Sequence, residues 1–199
     1  MMSRVQKMTS IAILTAFSLV LYLFKVPLPF FPVFLTLDVS DIPALVGAIM
    51  IGPVAGVLIQ FFKNGLEYLS HGSYVGLPIN QIANFFSGAL IVGLIGIFYQ
   101  YQKKLNWISF VVSISVFLIA MFALNYYFIL PTIMKLLGLN MDQYLSAFKS
   151  SNQLVKDFES AVLLIIVPFN LIKIMMVYAI GLPFAFKLQR ILQKRSMAI

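Results

Sequence analysis

Long apolar runs separated by short polar breaks organise this chain. Residues 7–26, 40–51, 53–69, 77–101, 107–127 and 159–186 are dominated by aliphatic and aromatic side chains without the alternation of a half-buried strand, which predicts six helices. Crossing about 30 Å of hydrocarbon takes roughly 20 apolar residues in a helix, so most of these runs match one bilayer passage. The run 40–51 is too short to cross untilted. Gly52-Pro53 joins it to the next, a residue suited to a helix end followed by one suited to a first turn, and Ser40 or Asp41 is the expected N-cap of the short run. A membrane barrel is excluded because its strands alternate apolar and polar residues and the stretch 107–128 does not. The expected fold is therefore an all-α integral membrane protein with six transmembrane helices, forming one membrane domain over residues 1–199.

Composition strengthens this reading. At 61% hydrophobic and 10% charged, 199 residues carry more apolar surface than a soluble domain of that size buries. The first run follows Arg4 and Lys7 as a signal peptide would, but it lacks a small-x-small cleavage site and leads directly into further runs, so it is expected to be retained. Without cysteine, disulfides and thiolate chemistry are excluded.

The net charge of +8 would suit a nucleic-acid partner, but its distribution argues otherwise. Arg4, Lys7, Lys103, Lys104, Lys187, Arg190, Lys194 and Arg195 all fall on one side of a six-span arrangement, while Asp38, Asp41, Glu67, Asp142, Asp157 and Glu159 fall at or toward the other. Basic connections mark the cytoplasmic side, so both termini are expected there, in the cell membrane, with lipid rather than nucleic acid around the chain.

Two connections on the acidic side are unusual. Residues 27–37 read PLPFFPVFLTL, whose prolines prevent regular helix while its aromatics keep it apolar; it suits either a lid folded inward or an aromatic interfacial belt. The stretch 130–158 mixes apolar residues with Lys135, Asp142, Lys149 and Lys156, as expected for an amphipathic segment on the membrane surface.

Polar groups at lipid depth are costly and therefore point to function. The third run supplies Lys63, Asn64 and Glu67, the fifth Asn125, and the sixth Asn170 and Lys173, three apart on one face behind Pro168. Lys63 and Glu67, four apart, could instead neutralise each other. Counting about 1.5 Å per residue from the adjoining turns places all three groups at similar height on the acidic half of the bundle. Amides donate and accept while lysine only donates, a combination matching a neutral, hydrogen-bonding, partly aromatic solute.

Ala12-xxx-Ala16 would let another helix approach closely, whereas Ala44-xxx-Ala48-xxx-Gly52 and Ala89-xxx-Gly93 are expected to serve internal packing. His71 has no nearby partner for a metal. The chain carries no phosphate-binding loop, nucleophile elbow or zinc-protease motif, so an enzyme is not expected. Two other classes stay open on the residues alone: an intramembrane enzyme using Glu67 with Lys63 or His71, and a structural subunit whose polar residues bind helices together.

The segment FPVFLTLDVSDIPALVGAIMIGPVAGVLIQFFKNGLEYL at 31–69, PFNLIK at 168–173 and Ala12-xxx-Ala16 together resemble the riboflavin-specific substrate-binding S components of energy-coupling factor transporters. The resemblance implies an S-component-like bundle of six helices with a vitamin site near the extracellular face, covered by a lid between helices one and two. It implies riboflavin as the transported ligand, with no cofactor, and as partners a transmembrane coupling subunit and two cytoplasmic ATPase subunits. Asn125, Asn170 and Lys173 would hydrogen-bond the flavin ring, Lys63, Asn64 and Glu67 the ribityl chain or the site's support, and Ala12 and Ala16 would face the coupling subunit. An S component for another vitamin is the alternative.

Overall fold

The computed structural model describes residues 2–73 and 76–196, with side chains through Lys194; Arg195 of the expected basic group lies outside the described side chains. Helix α1 (Arg4–Tyr22) starts a turn earlier than the apolar run, because Ser3 and Gln6 form a reciprocal capping box. It also ends four residues before Val26, where helix was expected to stop. Pro27 disfavours helical backbone at the residue before it. Val26–Pro27 (β1) instead pairs antiparallel with Thr36–Leu37 (β2), so the proline-rich connection is a hairpin.

Helix α2 (Asp41–Met50) buries eight of its ten residues and packs against α1, α3 (Pro53–His71), α4 (Ile79–Gln102) and α9 (Val167–Ser196). A short helix can lie at the centre because its neighbours approach it closely. A Cβ on Gly56 of α3 would stand 2.7 Å from Ala48 Cβ and 2.9 Å from the Ala44 carbonyl oxygen, so only glycine fits there. Ala44 and Ala48 thus serve internal packing. Between α2 and α3, Gly52 has φ +138°, a conformation closed to L side chains, and Pro53 opens α3. A Cβ added at Gly52 would meet nothing within 4 Å, so Gly52→Ala acts through the backbone alone. It is expected to destabilise by about 1–3 kcal/mol, read as a lower thermal midpoint in detergent.

The remaining chain is helical with interruptions. Helix α5 (Trp107–Leu124) passes through a π-helical turn, Asn125–Ile129, into α6 (Leu130–Leu136); α7 (Met141–Lys149) follows, and α8 (Phe158–Ala161) enters α9 through a second π-helical turn, Val162–Ile166. Both π turns lie just ahead of a proline, Pro131 or Pro168, whose missing N–H disturbs the i to i−4 ladder. The N-cap of α8 is Asp157, whose carboxyl is held below the usual carboxylate range by hydrogen bonds from the Ser160 backbone and hydroxyl.

Among the described residues four helical segments are long and apolar enough to cross a membrane: Arg4–Tyr22, Ile79–Gln102, Trp107–Leu136 and Phe158–Lys194. Helix α2 rises only about 15 Å, and α3 carries Gln60, Lys63, Asn64 and Glu67 among its apolar residues.

Two apolar clusters fill the interior. The larger joins α2, α3, α4, α5 and α9. The smaller gathers Leu130, Tyr144, Leu145, Phe148, Val155 and Ile165 at the hairpin end, and Phe31 and Leu35 of the hairpin pack against it. The stretch 130–158 therefore turns apolar side chains such as Tyr144, Leu145 and Phe148 inward as a packed cap.

Candidate ligand-binding site

At the start of α2, beneath the hairpin, charged and amide side chains from several helices meet around one carboxylate. Asp41 is fully buried. Its Oδ1 accepts from Lys63 Nζ at 2.8 Å and from Gln60 Nε2 at 2.8 Å, both on α3, and its Oδ2 lies 3.3 Å from Lys173 Nζ on α9. Lys63 also donates to Ser40 Oγ at 2.9 Å, and its ammonium stands 5.8 Å from the centre of the Tyr22 ring. Lys173 donates to Asn84 Oδ1 of α4 at 2.9 Å. Ser18 of α1 donates to the Ser40 carbonyl at 2.8 Å, which brings a fifth helix to the cluster.

The residue pattern explains this placement. Gln60, Lys63, Asn64 and Glu67 follow i, i+3, i+4, i+7 spacing, one face of α3, and that face is buried. A buried lysine needs a partner. Lys63 finds it in Asp41, so the Lys63–Glu67 pair offered by spacing does not form. Glu67 is buried, and its Oε2 has no hydrogen-bond partner among the described residues; Gln60 Oε1 is in the same position. Ser40 is the residue before α2 but gives no side-chain cap, since its hydroxyl is held by Lys63. Asp41, anticipated only as a possible cap, is the centre of the cluster.

The three amides behave alike. Asn64 donates to the Gln60 carbonyl, Asn125 to the Met121 carbonyl and Asn170 to the Ile166 carbonyl, each one turn back at 2.8–2.9 Å. Asn125 opens one π turn and Asn170 follows the other, and both are buried. Asn170 lies one turn before Lys173 on α9. Lys63 and Lys173 thus share one carboxylate, with Asn64, Glu67 and Asn170 each within a turn of one of them. Asn125 lies on a π turn that touches α4 and the second π turn, and no described hydrogen bond joins it to the Asp41 cluster.

Asp41, Ser40, Gln60 and Asn84 escaped sequence reasoning. Gln60 was visible as the missing member of the α3 polar stripe. Asn84 carried no signal, because its partner is 89 residues away. Above the cluster, the Phe31 ring meets Phe169 edge-on at 5.7 Å and Phe34 meets Phe148 at 5.4 Å, which seats the hairpin on α9 and α7. Ala12 and Ala16 lie elsewhere, exposed on α1, while Thr15 and Ser18 of the same helix are buried. His71 is exposed at the end of α3, and no metal-ligating group forms among the described residues.

A buried cluster of two ammonium groups on one carboxylate, held between helices of a membrane bundle, fits a solute-binding membrane protein. The chain belongs to the ECF transporter substrate-specific components, whose family description matches residues 6–184. It is 33% identical over 175 residues to the riboflavin transporter FmnP of Bacillus subtilis (strain 168), covering 85% of each chain. It is 34% identical over 134 residues to the riboflavin transporter RibU of Staphylococcus aureus (strain TCH60), covering 65% of this chain and 68% of the relative. A solved structure described as the S component of a bacterial ECF transporter superimposes with a TM-score of 0.70 at 28% identity, covering 96% of this chain and 99% of the other. The protein is thus a multi-pass membrane component that binds substrate for an uptake transporter, and it is not an enzyme. The readings as intramembrane enzyme or pure scaffold fall.

Proposed function

We propose that this subunit captures riboflavin at the hairpin end of the bundle and delivers it inward with a transmembrane coupling subunit and two cytoplasmic ATPase subunits. The observation that carries the reading is the Asp41 cluster: two buried ammonium groups offer donors, and Gln60 Oε1 and Glu67 Oε2 are buried acceptors without partners among the described residues. A buried acceptor without a donor is unfavourable by about 1–3 kcal/mol, so it favours a ligand that supplies hydroxyl or N–H groups. Riboflavin carries both, as a polyol chain and a ring edge of carbonyls and N–H, and the named relatives are riboflavin transporters.

In this reading Asn125, Asn170 and Lys173 address the flavin ring, while Lys63, Asn64 and Glu67 hold the ribityl chain or support the site. The hairpin, seated by Phe31 and Phe34, serves as the lid. The whole chain forms one membrane domain of six crossings: α2 and α3 complete the four longer segments, and both termini lie on the cytoplasmic side with the basic residues. Ala12 and Ala16 leave a flat exposed strip on α1 where a coupling-subunit helix can approach. The vitamin is cargo rather than cofactor.

Titration of the purified protein with riboflavin is expected to quench flavin fluorescence, and protein purified from cells should carry flavin absorbance. Tight binding of thiamin or biotin without flavin binding would overturn the assignment.

A further inference from the structure

At the end opposite the hairpin, α9 continues as a braced helix. Phe186 and Leu188 pack on the main core, Tyr99 Oη donates to Gln189 Oε1 at 2.9 Å, and the Tyr99 and Phe186 rings meet at 5.4 Å. The side turned away from this support carries Lys187, Arg190 and Lys194, spaced i, i+3, i+7 and exposed. With Pro183, Phe186 and Ile191 they line a shallow, open groove along this one helix. Among the described residues no acid pairs with these cations, no acid occurs after Glu159, and the end of α4 beside them adds Lys103 and Lys104.

We propose that this groove binds the headgroup of an anionic phospholipid, with Lys187 and Arg190 on its phosphate and Phe186, Pro183 and Ile191 against the beginning of its acyl chains. The inference rests on the membrane reading of α9 and not on the identity of the vitamin. Its 30 residues rise about 45 Å, beyond the roughly 30 Å of hydrocarbon, which puts the cationic stripe in the headgroup layer. Cations beside apolar side chains at that depth match a lipid phosphate, where charge attraction and acyl contact add. Lys194 lies in the last turn, where the helix's own unpaired carbonyls attract it, so Lys187 and Arg190 form the phosphate pair. Arg190 supplies the planar fork that grips two phosphate oxygens.

Native mass spectrometry of the full chain, released from detergent with equal phosphatidylglycerol and phosphatidylcholine, tests this. The wild type is expected to retain phosphatidylglycerol preferentially. K187Q/R190Q should lose that retention about tenfold or more, while K103Q/K104Q largely keeps it. Equal retention of phosphatidylcholine, or unchanged retention by K187Q/R190Q, would overturn the proposal. Displacement of the lipid by millimolar inorganic phosphate would reassign the groove to a free anion and overturn it too. An unchanged thermal midpoint of K187Q/R190Q confirms that the loss is local. Absence of flavin binding by the wild type, with the lipid preference intact, would sink the vitamin reading and leave this one standing.

Discussion

Asp41→Ala is expected to be the most damaging single substitution in the chain, at about 3–5 kcal/mol. The carboxylate is fully buried between Lys63 and Lys173, and its removal leaves two ammonium groups facing each other with no anion between them. Gln60 loses its acceptor at the same time. The thermal midpoint in detergent should fall on the order of 10 °C. Asp41→Ala/Lys63→Met should recover part of the loss, because it removes one stranded charge along with its partner. A midpoint unmoved by Asp41→Ala would mean that the cluster does not hold the helices together.

Lys173→Met separates binding from folding. Asp41 keeps Lys63 and Gln60, so the fold should lose less than in Asp41→Ala, and the methionine fills a similar volume. What disappears is the cation that α9 contributes to the Asp41 cluster, along with its bond to Asn84. Riboflavin affinity is expected to drop roughly 10- to 100-fold, the range for a lost hydrogen bond to a charged group. Fluorescence quenching gives the affinity and the thermal midpoint gives the stability. Unchanged affinity would remove Lys173 from the ligand's contacts.

The sequence made the helices and their rough ends visible because apolar runs and capping residues are local signals. Gly52 with Pro53 marks a helix boundary that the structure has, whereas the capping pairs Ser3–Gln6 and Asn140–Gln143, equally local, went unread. The polar stripe of α3 was equally local. What stayed hidden was pairing. Asp41 looked like an ordinary first-turn acid, since nothing along the chain says that Lys63, 22 residues on, and Lys173 on the last helix will converge on it. The two π turns were likewise hidden: Pro131 and Pro168 signal a disturbed helix but not whether it breaks, kinks or widens.

The paired strands of the hairpin bear on how fast a ligand is held and let go. Val26 with Leu37 and Pro27 with Thr36 tie the two stems, so the loop between them is closed before any ligand arrives. Most of its closure entropy is lost on folding and little remains to be lost on association. If the loop covers the vitamin, the subunit captures its cargo with a cover already shaped, and a long residence time follows from slow detachment of Phe31 and Phe34 rather than from rapid arrival.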